Sequence, residues 1–263
     1  MKKWGLFALA ALLVVALAAC GKKDSGSGAK VYKFATDAAY SPMELMDKDK
    51  VVGFDADFLD AVMKEAGLDY QLVNTGWDPM LQSVKDGKEY AGGISSVSIT
   101  DERKQTYDYS APYFESTNMI LSKAGSGLKT GQDLKDKKVA VQISTTADTI
   151  MSDIMGKDNT NLKRFDSNAL AFTEMESGGV DAVVADVAIV GEYLKQHPDK
   201  NLEGNLDPSF PSEFYGILLP KGSDLKAKID PAIKKVLESG KYAEIYKKWI
   251  GKEPNVQNVL NAK

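Results

Sequence analysis

From Val31 onward, apolar runs of strand length alternate with longer stretches whose apolar residues recur every three or four positions. The first kind reads as buried strands and the second as amphipathic helices, so the pattern predicts an α/β architecture. Lys138 to Gln142 and Val180 to Ala185 are two such strands, each leading directly into a helical stretch. Asp78-Pro79 predicts a helix start with an N-cap and a proline in the first position, followed by Met80, Leu81 and Val84 on one face and a stop at Gly87. A second helix opens at Gly53-Phe54-Asp55, keeps its spacing through Phe58, Ala61, Val62 and Glu65, and ends at Gly67. Tyr242, Ile245, Tyr246 and Trp249 form a stripe that reads as core packing. The stretch from Asp224 to Glu238 contains Pro231, which removes a helical hydrogen bond; a kink or break is expected there, with Asp230-Pro231 starting a second helix.

The amino terminus follows another pattern. Lys2 and Lys3 precede an apolar stretch from Trp4 to about Ala16, shorter than the about 20 residues a membrane span needs. It predicts a secretory signal peptide, residues 1–19. The following Leu17-Ala18-Ala19-Cys20-Gly21 resembles a bacterial lipobox, in which Cys20 is diacylated on sulfur and becomes the first mature residue. Residues 20–30, polar and rich in glycine and serine, then read as a lipidated flexible tether. The chain is thus expected to be exported and anchored by lipid alone to the outer face of the cytoplasmic membrane, or to face the periplasm in a Gram-negative cell.

Composition narrows the function. Cys20 is the only cysteine, so no internal disulfide forms and the core must hold the fold. A chain beginning at Cys20 keeps 244 residues, and its net charge moves from −4 to −6. No basic block of nucleic-acid type is present. The single histidine, His197, lies in the loop-like segment Gln196-His197-Pro198-Asp199, which supports neither a catalytic triad nor a zinc site. No phosphate-binding glycine motif occurs, and nothing implies a metal or cofactor. An enzyme working through carboxylates alone has no motif in its favour.

Three segments place polar residues where strands hand over to helices, the usual ligand position in open α/β sheets. In Ile94-Ser95-Ser96-Val97-Ser98-Ile99-Thr100-Asp101-Glu102-Arg103, Thr100 can cap a helix whose first turn carries the bidentate fork of Arg103. In Gln142-Ile143-Ser144-Thr145-Thr146-Ala147-Asp148, a hydroxyl-rich turn either caps a helix or offers its amides to an anion. The strand ending at Asp186 presents a carboxylate that can accept from an ammonium group or cap the next helix. Together they describe a receptor for a zwitterion. Tyr40 and Trp77, both at turn entries, are candidates to stack on a ligand side chain or to serve as core lids.

The segments TDAAYSPMELMDKDKVVGFDADFLDAV, SSVSITDERKQTYDYSAPYFES, VAVQISTTAD, VDAVVAD and YAEIYKKWIGKEP, in this order, resemble the polar amino acid-binding proteins of ABC importers, solute-binding protein family 3. The resemblance runs from about Lys30 to Lys252 and is strongest to arginine- and lysine/arginine/ornithine-binding members. It implies a two-lobed periplasmic-binding-protein-like fold with two hinge crossings, near Glu115 to Asn118 and Ser212 to Tyr215, and a ligand cleft between the lobes. Lobe 1 would comprise 31–115 and 213–263, lobe 2 116–212. It further implies that Arg103 clamps the ligand carboxylate with Ser98 and Thr146, within the Thr145-Thr146 turn. Asp186 and Ser96 would hold the ammonium, Tyr40 and Trp77 flank the side chain, and Asp37, Ser95 and Gln142 meet its distal group. Met43 stands where phenylalanine is usual and is expected to alter a pocket wall; Ser144 stands where glycine is common. The implied protein is a monomer that binds a free amino acid of the basic class, arginine or lysine, and delivers it to permease subunits. Alternatives on the same fold are binding of glutamine or another polar amino acid, a cyclohexadienyl-type dehydratase, and a sensory ligand module. The paired Arg103 and Asp186 favour binding over catalysis.

Overall fold

The computed structural model describes residues 30–262. The signal segment 1–19, Cys20 and the tether up to residue 29 lie outside the described residues.

The chain alternates as its polarity pattern predicts. Strand β1 (Tyr32–Thr36) is followed by a small antiparallel sheet of β2 (Ala39–Tyr40), β3 (Glu44–Asp47) and β4 (Lys50–Val52). Helix α1 (Phe54–Ala66) then leads to β5 (Tyr70–Asn74), and α2 (Trp77–Asp86) to β6 (Gly92–Gly93). A one-turn helix α3 (Asp101–Lys104) precedes β7 (Tyr107–Tyr109) and the long β8 (Phe114–Lys123). Next come β9 (Val139–Gln142), α4 (Thr146–Met155), β10 (Leu162–Phe165), α5 (Asn168–Glu176), β11 (Ala182–Asp186), α6 (Val187–Gln196) and β12 (Leu202–Asn205). The chain returns through β13 (Ser212–Tyr215) to β14 (Leu218–Pro220) and closes with α7 (Leu225–Glu238), α8 (Lys241–Ile250) and α9 (Val256–Asn261).

These elements build two lobes around two sheets. The first has the order β5-β1-β6-β14-β7, and the second β10-β9-β11-β8-β12. In each, parallel strands are joined through helices, while the strands that enter or leave run antiparallel. The link is the ladder of β8 with β13, from Phe114↔Tyr215 to Thr117↔Ser212. Beyond it, from Asn118↔Asp186, β8 pairs with β11 inside the second sheet. Thus β8 belongs at one end to the connection and at the other to the second lobe.

Local rules explain most element ends, and packing overrides two of them. Gly53 enters α1 at φ 136°, and a Cβ there would sit 2.2 Å from the Met43 carbonyl oxygen, so only glycine fits. Gly67 and Gly87 end α1 and α2 in the left-handed conformation. Helix α2, however, starts at Trp77 with Gly76 in the cap position; Asp78 is not its cap and Pro79 lies inside the first turn, where its missing N–H costs nothing. Nor does Pro231 break its helix. Residues 225–238 form a single α7, because Leu225, Ile229, Ala232, Ile233, Val236 and Leu237 keep one buried face across the proline. Asp230 is occupied elsewhere, accepting the Ala111 N–H at 2.7 Å and pairing with Lys226.

The core of the first lobe is aromatic. Phe58 stacks on Tyr113 at 4.7 Å, Phe54 packs edge-on to Phe114, and Tyr242 and Ile245 of α8 are buried against them. Tyr246 and Trp249 are partly buried in the same cluster, as their stripe predicts. Met43 is fully buried here and does not line the ligand cavity, correcting the expectation that it shapes a pocket wall. His197 follows α6 as its C-cap, half-buried, its ring 4.3 Å from that of Tyr193.

Candidate functional site

Strand ends and helix starts converge between the lobes. Asp37 follows β1, Ser95 and Ser96 follow β6, Gln142 closes β9 and Asp186 closes β11. Trp77 opens α2, Thr145 caps α4, Thr146 begins it, and Arg103 lies in α3 beneath its Thr100 cap. All eleven residues singled out from the sequence (Asp37, Tyr40, Trp77, Ser95, Ser96, Ser98, Arg103, Gln142, Thr145, Thr146, Asp186) line one cavity. The cavity is narrow, with about 20 Å³ open to a water-sized sphere. Among the described residues, no group of three or more His, Cys, Asp or Glu is disposed to hold a metal.

Arg103 is held from three sides. Nη1 donates to the Ser98 carbonyl at 3.0 Å and Nη2 to the Ser144 carbonyl at 2.9 Å, so the guanidinium spans the two lobes. Its carbon lies 5.5 Å over the Trp77 ring. That ring, assigned by resemblance to the ligand side chain, therefore carries the arginine on one face. Ser144 adopts φ 62°, the left-handed region where glycine is favoured, and this conformation presents its carbonyl to Arg103.

Asp186 sits at the cap position of α6, yet its side chain makes no capping bond. It accepts instead from the hydroxyls of Tyr215 and Tyr40. Burial, then the charge of Glu213, pushes its carboxyl up to about 7; the tyrosine bonds and the Arg103 charge pull the other way.

A third carboxylate, Asp37, is 6 % exposed and raised by burial. Its Oδ2 accepts Gln142 Nε2 at 3.1 Å, another bond across the lobes. Gln142 is fully engaged: Nε2 also donates to the Asp166 carbonyl at 3.0 Å, and Oε1 accepts Asn168 Nδ2 at 2.8 Å. The Ser95 hydroxyl accepts the Asp37 N–H and donates to Glu44 at 2.5 Å. Among the described residues no donor reaches Asp37 Oδ1. Ser95 and Gln142, the residues beside Asp37, thus have their hydrogens spent within the protein.

Buried acids behind the cavity escaped the sequence reading. Asp55 accepts the Ser96 N–H at 2.7 Å and the Tyr113 hydroxyl at 2.9 Å. Burial raises its carboxyl to about 6, and burial likewise pushes neighbouring Glu44 up. Glu213, on β13, accepts from Ser98, Thr146 and Asn118. The Thr145 hydroxyl donates to the Gln142 carbonyl and accepts from Asp148 N–H, leaving it a cap. Asp55 lay within a helix start and Glu213 within a crossing strand, so neither carried a local signal of facing a site.

The chain is similar along its length to known proteins. A histidine-binding protein of Neisseria gonorrhoeae, described as probable, is 38% identical over 262 residues, covering 96% of this chain and 97% of its own. The arginine-binding extracellular protein ArtP of Bacillus subtilis (strain 168) is 32% identical, covering 95% and 98%. The crystal structure of the arginine-, lysine-, histidine-binding protein ArtJ of Geobacillus stearothermophilus is 51% identical, with a TM-score of 0.85 over 88% of this chain and 100% of that one. Residues 32–252 match the family profile, and with it the two-lobed fold and the interlobe cavity have their place: the chain belongs to the bacterial extracellular solute-binding proteins, family 3.

Proposed function

We propose that this protein captures a free basic amino acid, arginine or lysine, outside the cytoplasmic membrane and delivers it to the permease subunits of an ABC importer, without chemistry on the ligand. The relatives named for arginine and histidine, and the structure named for arginine, lysine and histidine, support this class. The observation that carries it is Asp37, a desolvated carboxylate with a free oxygen, whose neighbours Ser95 and Gln142 have no hydrogen left to donate. A guanidinium or ammonium satisfies such acceptors. The carboxamide of glutamine brings an oxygen that neither Ser95 nor Gln142 can serve, and an unpaired buried acceptor is costly. In this reading Arg103 clamps the α-carboxylate, with the backbone amides of Ser98 and Thr146. Asp186 and Ser96 hold the α-ammonium, and Tyr40 and Trp77 wall the side chain.

The test is Asp37→Asn, titrated calorimetrically with arginine and glutamine side by side. Arginine is expected to lose roughly 10-fold or more in affinity relative to glutamine, the scale of one charge-assisted bond. Equal losses, or wild-type protein preferring glutamine, would refute the basic assignment and leave amino acid capture standing.

The same reading assigns 31–115 and 213–263 to one lobe and 116–212 to the other, closing about the β8–β13 ladder. It has a monomer anchored, after loss of residues 1–19, by lipid on Cys20. One acyl chain holds weakly, so two are needed for stable anchoring. Cys20→Ala is expected to move the protein from the membrane fraction to the soluble one; continued membrane retention after cleavage at the same site would refute the anchor. Among the described residues no helix is long and apolar enough to cross a membrane.

A further inference from the structure

Glu213 is 8 % exposed, on the strand that returns from the second lobe, facing Ser116 of β8 in the ladder. Its Oε2 accepts the Ser98 hydroxyl at 2.6 Å and the Thr146 hydroxyl at 2.9 Å; its Oε1 accepts Asn118 Nδ2 at 2.9 Å. Ser98 comes from the segment beside the first sheet and Thr146 from the first turn of α4 in the second lobe. One carboxylate thus holds a residue from each lobe, and both residues line the cavity that Glu213 itself does not line.

The chemistry follows from hydroxyl valence. A serine or threonine hydroxyl has one hydrogen, and in both residues it is directed at Glu213. Neither hydroxyl has a hydrogen left for a ligand carboxylate. What remains are the backbone amides: Ser98 lies at a bridge whose bonds run through Ile99 N–H and Gly216 N–H, and Thr146 is in the first helical turn, where no intrahelical acceptor exists. The Thr146 bond also ties the start of α4 in the second lobe to the returning strand β13.

We propose that Glu213 is a positioning residue for capture of the ligand's carboxylate: it takes the hydroxyl hydrogens of Ser98 and Thr146, sets their amides as the donors beside Arg103, and latches the lobes once closed. This rests on the amino acid-binding reading above. It differs from a role in folding alone, because it acts through Thr146 and on release.

The experiment is a double-mutant cycle of Glu213→Gln and Thr146→Val, with stopped-flow association and dissociation rates for arginine, lysine and histidine and the ligand-free melting temperature. Glu213→Gln is expected to speed release of every ligand alike by roughly 10- to 100-fold, the value of a charge-assisted bond, with association little changed. Glu213→Asp, which keeps the carboxylate, recovers part of the loss. The double variant releases no faster than Glu213→Gln alone. Unaltered release in folded Glu213→Gln, ligand-dependent losses, or additive effects in the cycle would overturn the inference. If Glu213→Gln fails to fold, Thr146→Val carries the test: it deletes the same cross-lobe bond, and unaltered release there overturns the inference equally. Wild-type protein that binds no amino acid would overturn the proposed function, and this inference with it; wild-type binding with an unaltered variant overturns this inference alone.

Discussion

Arg103→Ala is expected to weaken every amino acid ligand together, by about 2–5 kcal/mol, or roughly 30- to 5,000-fold in Kd. The side chain is held by the protein itself: two of its five N–H groups donate to the Ser98 and Ser144 carbonyls, and Trp77 lies under the guanidinium. Its other N–H groups can meet a carboxylate as a rigid fork. Removing the fork leaves a desolvated ligand carboxylate with backbone amides alone. It also deletes a bond between the lobes, so release accelerates along with the loss of affinity. Because the α-carboxylate is common to all amino acids, arginine, lysine, histidine and glutamine should lose by similar factors. Arg103→Lys recovers little, since an ammonium cannot reproduce the bidentate geometry. Calorimetric titration of the folded variant checks this, and wild-type affinity for any tested ligand would remove Arg103 from the clamp.

Asp186→Asn is expected to move binding and stability in opposite directions. In the ligand-free protein the Asp186 carboxyl is raised to about 7, mainly by burial and then by Glu213. Unfolded, it ionises near the ordinary aspartate value of about 3.9. Between those two values the folded chain holds a proton that the unfolded chain has lost, so this group's contribution to stability falls as pH rises from about 4 to about 7 and is flat above. Asparagine removes that penalty. The variant should melt higher than wild type at pH 8 without ligand, at about 2–4 °C per kcal/mol for a chain this size, and the difference should shrink toward pH 4. Ligand affinity should instead fall by about 2–5 kcal/mol, because the α-ammonium loses its countercharge. In the wild type near pH 7, the arriving ammonium favours the ionised carboxylate, so binding releases protons. Titrations in two buffers of different ionisation heat measure that release directly. A variant that melts lower at pH 8, or wild-type binding without proton release, would contradict this account. The site is one where function is kept at a cost to the stability of the empty protein.

The local features legible in the sequence were those whose cause is local. Gly67 and Gly87 end helices because their left-handed conformation costs glycine nothing, and Thr100 caps α3 because a hydroxyl next to a free N–H suffices. Asp78-Pro79 and Pro231 misled for the opposite reason. Gly76 takes the cap, and six buried apolar residues hold α7 across its proline, a packing force no single position announces.

The sequence by itself determined the α/β class, the family, and the identity of the eleven side chains that meet in the cavity, because strand ends and helix starts carry short motifs that persist wherever they are placed. Only the tertiary structure decided which atoms of those side chains are available. Ser98 and Thr146 both carry hydroxyls, yet Glu213, 115 and 67 residues away, takes both hydrogens and leaves only their amides. Asp186 looked equally like a cap, until Tyr215, 29 residues on, turned it toward the cavity wall. Gln142 looked free to meet a ligand, while Asn168, Asp166 and Asp37 use its amide fully. A hydroxyl has one hydrogen and an amide two, and which neighbour receives them depends on groups that only folding brings within hydrogen-bond reach.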